Sequence, residues 1–176
     1  MQTLEENSPT IKNQKKLKMN FNQINYFMSM ALDEAHEAAK IDEVPVGAIL
    51  TDKFGKILAK THNTKEKEQN PCNHAEVLAV TKASQELNSW RLIDCNLFVT
   101  LEPCPMCMAT LSQARIKNVY FGAYDPKGGA ASLGLDLHKD IRLNHKLNLY
   151  GGFQHRECSR LISNFFRNKR GKYKKS

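Results

Sequence analysis

The stretch LEPCPMCMATL (residues 101–111) places Cys104 and Cys107 three positions apart, each preceded within two positions by a proline. Such a C-x-x-C pair suits a redox dithiol, half of a structural zinc site, or two ligands of a catalytic metal. A thioredoxin-like redox chain would build its βαβ unit around the pair. Here the pair follows a hairpin and a helix pattern and lies past the middle of the chain, which argues against that reading. At the first turn of a helix, residues i and i+3 share one side, so both sulfurs would face one metal. The unsatisfied amides there favour the thiolate, the form that binds zinc.

The rest of such a site has to come from elsewhere in the chain. Cys72 and His74 in NPCNHAE form a C-x-H, which is not a familiar structural zinc pair. A catalytic zinc takes three protein ligands and keeps one position for water, and His74, Cys104 and Cys107 meet that count. Glu76, two residues beyond His74, is a carboxylate placed to take and return the proton of that water. On a regular helix, positions i and i+2 diverge by about 200°, so His74 and Glu76 can share a site only near the helix end. As an ordinary residue, Glu76 would be a first-turn charge favourable to the helix dipole.

Working outward, TLEPC follows NLFVTL (residues 96–101), which reads as a short buried strand, and CMATLSQARI (107–116) continues as a helix. Residues 118–123 (NVYFGA) form another strand, followed by the Gly-rich loop YDPKGGAASLG, and LNLYGG (147–152) a fifth. Upstream, Ile24, Phe27, Met28, Ala31, Leu32 and Ala35 recur at steps of three and four, an amphipathic helix. VPVGAILT (44–51) and KILAKTHN (56–63) flank the turn DKFG as a hairpin. HAEVLAVTKASQEL (74–87) reads as a helix, and the last helix spans residues 157–170, with Cys158, Leu161, Ile162 and Phe165 on one face. This order predicts an α/β fold, a three-layer α/β/α sandwich around a central five-stranded mixed sheet, with function at the carboxyl edge of its parallel strands. The expected division is a polar extension (1–20), one catalytic domain (21–170) and a basic tail (171–176).

The composition excludes some classes. The chain has 176 residues, 41% hydrophobic and 25% charged, the mix of a globular domain. No apolar run approaches a membrane span, and the first twenty residues lack the apolar centre of a secretory signal. Five cysteines make a poor disulfide framework, so a cytoplasmic setting is expected. The net charge of +8 favours a polyanionic partner. In RNKRGKYKKS the basic residues could neutralise phosphates, and Phe165, Phe166 and Tyr173 could stack on bases. A solubilising terminus is the plainer reading of the last residues.

Together, HAE and PCPMC resemble the H-x-E…P-C-x-x-C motif of zinc-dependent nucleobase deaminases. Within that superfamily, the longer stretches around residues 22–170 resemble tRNA adenosine deaminases. FGAYDPKGGAASL and NFFR are the distinguishing ones. The resemblance implies a homodimer with one zinc ion (Zn2+) per subunit, held by His74, Cys104 and Cys107. It implies Glu76 as proton shuttle in converting the wobble adenosine of a tRNA anticodon loop to inosine. By the same similarity, Asn63 meets the target nucleoside and Val44, Pro45 and Ala75 shape its pocket. Asp125 and Lys127 would meet the RNA backbone or ribose, Asn144 and His145 the flanking nucleotides, and Phe166 and Arg167 would stack and pair with RNA. Asp125 as a turn cap and Phe166 as a core aromatic are alternatives. PCPMC also occurs in guanine and cytosine deaminases, so a free nucleobase or nucleoside deaminase is the alternative function. A noncatalytic zinc-stabilised RNA-binding module is a third.

Overall fold

Alternation of side chains across the strands sets the layers. A computed structural model describes residues 19–173, and its elements are α1 (Phe21–Lys40), β1 (Gly47–Thr51), β2 (Ile57–His62), α2 (Ala75–Glu86), β3 (Asn96–Leu101), α3 (Pro105–Gln113), β4 (Asn118–Ala123), β5 (Asn148–Gly151) and α4 (His155–Tyr173). The five strands lie in the order β2-β1-β3-β4-β5, with β1 antiparallel to β2 and β3, and β3, β4 and β5 parallel. Ile49, Phe98, Tyr120 and Tyr150 are successive partners across the ladder and share one face. Phe27 of α1 joins them: its ring lies 4.8 Å from Phe98, which stacks on Tyr120 at 5.1 Å, and Tyr120 on Tyr150 at 5.2 Å. Helices α1 and α4 cover this face, with Met28, Ala31 and Cys158 in the same core. The alternate positions, Ala48, Leu50, Leu97, Val99, Val119 and Phe121, face the second core under α2 and α3. Small residues at Ala75, Ala79 and Ala83 bring α2 close to the sheet. The expected three-layer sandwich is therefore the fold.

Element boundaries differ from the sequence reading for identifiable reasons. β1 starts at Gly47 rather than residue 44, because Pro45 offers no N–H to a ladder and the Val46 N–H turns back to the Val44 carbonyl at 2.8 Å. α3 starts earlier than expected, with Pro105 in its first turn and Cys104 as N-cap, and Arg115 (φ 65°) ends it in the left-handed region. α4 continues past Arg170 to Tyr173, anchored near its end by a 2.6 Å ion pair from Lys169 to Asp42. Asn20 caps α1 in a reciprocal capping box with Gln23, and Met19 packs on the core beside it. The remainder of the expected N-terminal extension (1–18) and the end of the basic tail (174–176) lie outside the described residues. Among the described residues, no helix is long and apolar enough to cross a membrane.

This topology gathers several chain segments at one edge. The carboxyl ends of β2, β3 and β4 and the approach to β1 all meet there. α2 and α3 begin at that edge, so both helix N-termini point into it.

Candidate active site

Two helix caps bring the metal-binding side chains together. His74 is the N-cap of α2 (φ −78°, ψ 149°) and Cys104 the N-cap of α3 (φ −71°, ψ 169°). Each has extended backbone, so its side chain leaves the helix direction and turns toward the other. That resolves the difficulty of His74 and Glu76 at i and i+2: only Glu76 is inside the helix. Cys107 enters from the first turn of α3 and is fully buried. The His74 Nδ1 lies 3.7 Å from the Cys104 Sγ and 3.5 Å from the Cys107 Sγ. A tetrahedral zinc with ordinary Zn–N and Zn–S bonds needs an N···S spacing of about 3.6 Å. The ligand atoms of all three residues lie within 4.8 Å of one another, and no other such group occurs among the described residues. One nitrogen and two sulfurs at these spacings fit zinc and leave room for one further ligand.

The electrostatics follow from the crowding. Hydrogen bonding from Cys107 holds the Cys104 thiol down to about 4, against the opposing effect of burial. Cys107 is pushed far above the usual thiol range, first by its hydrogen bond to Cys104 and then by burial. The hydrogen bond to Cys104 raises His74. Glu76 is 4% exposed, and burial pushes its carboxyl up to about 7. It stands at the second helical position of α2, in hydrogen-bonding reach of Cys107. A carboxyl that holds and releases a proton near neutrality suits proton transfer.

A cleft of about 270 Å³ opens above these residues, lined by His74, Glu76 and Cys104. Of the residues expected around the substrate, Val44, Asn63 and Asp125 also line it. Asn63 is buried and braces the site: its Oδ1 accepts the Ala75 N–H at 2.8 Å and its Nδ2 donates to the Val44 carbonyl at 3.2 Å. Ala75 and Pro45 are buried and are not among the residues that line the cleft. The Asp125 Oδ1 accepts the Lys127 N–H at 3.1 Å, so the turn-capping reading and a place on the cleft hold together. Lys127 is exposed on that loop.

A second, shallower groove of about 730 Å³ shares Val44 and Glu66 with the first and runs to Phe165, Phe166, Lys169 and Arg170 on α4. Phe166 is exposed rather than a core residue, and Arg167 lies beside it with a 3.4 Å hydrogen bond to Asn164. Asn144 and His145 are not brought to the cleft. The His145 Nε2 donates to the Ile116 carbonyl at 2.6 Å, beyond the far end of α3, a helix of nine residues or about 13 Å. A larger cleft, about 430 Å³, lies around Asn96, Asn118 and Asn148 at the start of β3–β5 and contains none of the metal-binding residues.

Two buried carboxylates on the cleft were not singled out by the sequence. Glu43 accepts the Lys67 N–H at 2.7 Å. Glu102 binds the loop after β4. A sequence signal existed for Glu102, a lone charge at the end of an apolar strand. Glu43 follows a run of acidic residues on the exposed face of α1, and nothing in the sequence sets it apart.

Comparison with known proteins finds zinc-binding deaminases. Residues 21–123 match the family described as the cytidine and deoxycytidylate deaminase zinc-binding region. A tRNA-specific adenosine deaminase from Bacillus subtilis is 42% identical over 148 residues, covering 84% of this chain and 91% of that protein. A solved structure from studies of A-to-I editing by tRNA:A34 deaminases at the wobble position of transfer RNA is 38% identical. It superposes with a TM-score of 0.74 over 77% of this chain and 98% of that chain. A guanine deaminase from Bacillus subtilis is 30% identical with a TM-score of 0.56, over 85% of this chain and 95% of that one. The fold, the zinc-binding set and these similarities place the chain in the tRNA-specific adenosine deaminase family, within the zinc-binding cytidine and deoxycytidylate deaminases.

Proposed function

We propose that the protein converts the wobble adenosine of a tRNA anticodon loop to inosine by zinc-dependent hydrolysis. The observation that carries this reading is the junction of two features. A cleft for one base stands over His74, Cys104, Cys107 and Glu76, and it runs into a groove bearing Phe166, Lys169 and Arg170. At about 270 Å³ the cleft is small for a ligand pocket. It suits a single extruded base, with the neighbouring nucleotides left on the outer groove. An anticodon base is already unpaired, so its extrusion is cheap.

His74, Cys104 and Cys107 would hold the zinc, which would supply Lewis-acid activation of a water. Glu76 would take one proton from the attacking water and pass it to the purine N1, then take the second from the oxygen added at C6 and pass it to the departing N6 amine. The water oxygen adds to C6, the C6–N6 bond breaks, and ammonia and inosine are the products. The N-termini of α2 and α3 favour negative charge at this point. Asn63 holds Val44 and Ala75 in place, so Val44, Pro45 and Ala75 act together as one wall around the nucleoside. Asp125 and Lys127, on the loop after β4, meet the ribose and phosphate. Phe166 and Arg167 meet the flanking nucleotides by stacking and charge. Asn144 and His145, remote from the cleft in one subunit, serve RNA further along its path. The protein works as a homodimer in the cytoplasm.

A guanine deaminase is also similar in sequence and fold, which keeps free-base deamination as the second reading. The test uses zinc-loaded wild type and Glu76→Gln with an anticodon stem-loop, digested to nucleosides. Glu76→Gln is expected to retain zinc and RNA binding while inosine formation slows about 10²–10⁴-fold. A Glu76→Gln rate close to wild type would remove Glu76 from the proton path.

A further inference from the structure

Glu102 is a buried carboxylate that the deamination chemistry leaves unused. It lies between β3 and the ligand Cys104 and is 3% exposed. Its Oε1 accepts the Ser132 N–H at 2.8 Å. Its Oε2 accepts the Asp125 N–H at 3.0 Å and the Ser132 hydroxyl at 2.5 Å. All three donors belong to the loop after β4. A fourth bond, from the Ala130 N–H to the Pro103 carbonyl at 2.9 Å, joins the same two segments. The backbone of Gly129 packs directly on the carboxylate: a Cβ there would lie 2.3–2.6 Å from its carbon and both oxygens. Glycine is required at 129 by this close approach.

The clamped loop is also a wall of the cleft, because Asp125 and Gly128 line it. The zinc-binding residues are held by different bonds. His74 and Cys104 are set by the starts of α2 and α3, where the Leu78 N–H reaches the His74 carbonyl at 3.0 Å and the Met108 N–H reaches that of Cys104 at 2.9 Å. Glu76 is carried by α2. The zinc-binding residues therefore have helix-start bonds of their own, in addition to the 102–103 segment that holds the loop.

We propose that Glu102 is a positioning residue. It holds residues 125–132 against the metal-binding segment and so fixes the width of the substrate cleft. Its contribution falls on substrate affinity rather than on the chemical step. Only the choice of substrate rests on the deaminase reading; the clamp itself does not.

The test measures zinc content, backbone amide exchange, and KM and kcat on an adenosine-containing anticodon stem-loop. The variants are Glu102→Ala, Gly129→Ala, their combination, and Ser132→Ala. Hydrogen bonds to a charged group are strong enough for Glu102→Ala to raise KM about tenfold or more. Its kcat should stay within about threefold of wild type and its zinc should be retained, since no zinc ligand depends on Glu102. The amides of Asp125 and Ser132 should exchange at least about tenfold faster. Gly129→Ala should behave alike, by displacing the carboxylate. Added to Glu102→Ala it should cost little, because the new methyl group then has space. Ser132→Ala loses one donor and should give a smaller rise in KM. If Glu102→Ala does not fold, Gly129→Ala and Ser132→Ala carry the same test. Unchanged exchange at Asp125 and Ser132 overturns the clamp. A fall in kcat at constant KM, loss of zinc, or additive effects in the double variant overturns the positioning role. If wild type makes no inosine, the deaminase reading fails, and the exchange rates still decide the clamp.

Discussion

At Cys107 the thiol keeps its proton far more tightly than a free cysteine, because it donates toward Cys104 and is buried. His74 is likewise raised by its contact with Cys104. Zinc needs both sulfurs as thiolates and the imidazole neutral. Protons on Cys107 and His74 must therefore leave when metal binds, and zinc affinity rises as pH rises. Loading the metal-free protein at pH 7 should release on the order of one to two protons per zinc, and affinity should be weaker at pH 6 than at pH 8. Calorimetry in buffers of different ionisation enthalpy measures this release. A pH-independent affinity without proton release would contradict the ligand assignment. At the same scale, the sequence exposed the ligand types but not the geometry that unites them. His74 and Glu76 were expected to share a site only near a helix end, and they do so because His74 is an N-cap with extended backbone.

Among the elements, the pairing of α1 with β1 is the most demanding contact. A Cβ on Gly47 would lie 2.1 Å from the Ala31 carbonyl oxygen and 2.4 Å from the Ala35 nitrogen, both backbone atoms. Backbone cannot swing away as a side chain can. Gly47→Ala should therefore destabilise the protein by about 3 kcal/mol or more, read by denaturant unfolding of the zinc-loaded form. A loss below about 0.5 kcal/mol would be an ordinary surface effect and would refute the close packing. β3 and β4 were legible to the residue, because each is an apolar run bounded by turn signals. The ends of β1, α3 and α4 were not. Each depends on something periodicity does not carry: Pro45 leaving the ladder, Cys104 serving as a cap, and Lys169 reaching Asp42 across the fold. Glu43 and Glu102 were missed for a related reason. A buried carboxylate is marked by the loop amides it collects, and those amides come from distant sequence.

For the whole molecule, the central relation is between a small cleft and the groove that leaves it toward the last helix. The formal charge of +8 suits a polyanionic partner better than a free base. The groove that leaves the cleft at Val44 reaches Phe166 and Arg170, joining the sheet edge to the last helix. The sequence indicated both ends of this path, the metal-binding motif and the aromatic, basic terminus, but only the fold connects them. Zinc-loaded protein should form inosine from an anticodon stem-loop bearing a wobble adenosine. KM should rise with salt as phosphate contacts are screened, and free guanine and cytidine should not turn over. The most direct measurement is nucleoside analysis after incubating the protein with stem-loop, guanine and cytidine together. Inosine from the RNA alone is the expected result, and turnover of guanine or cytidine without inosine would contradict the account.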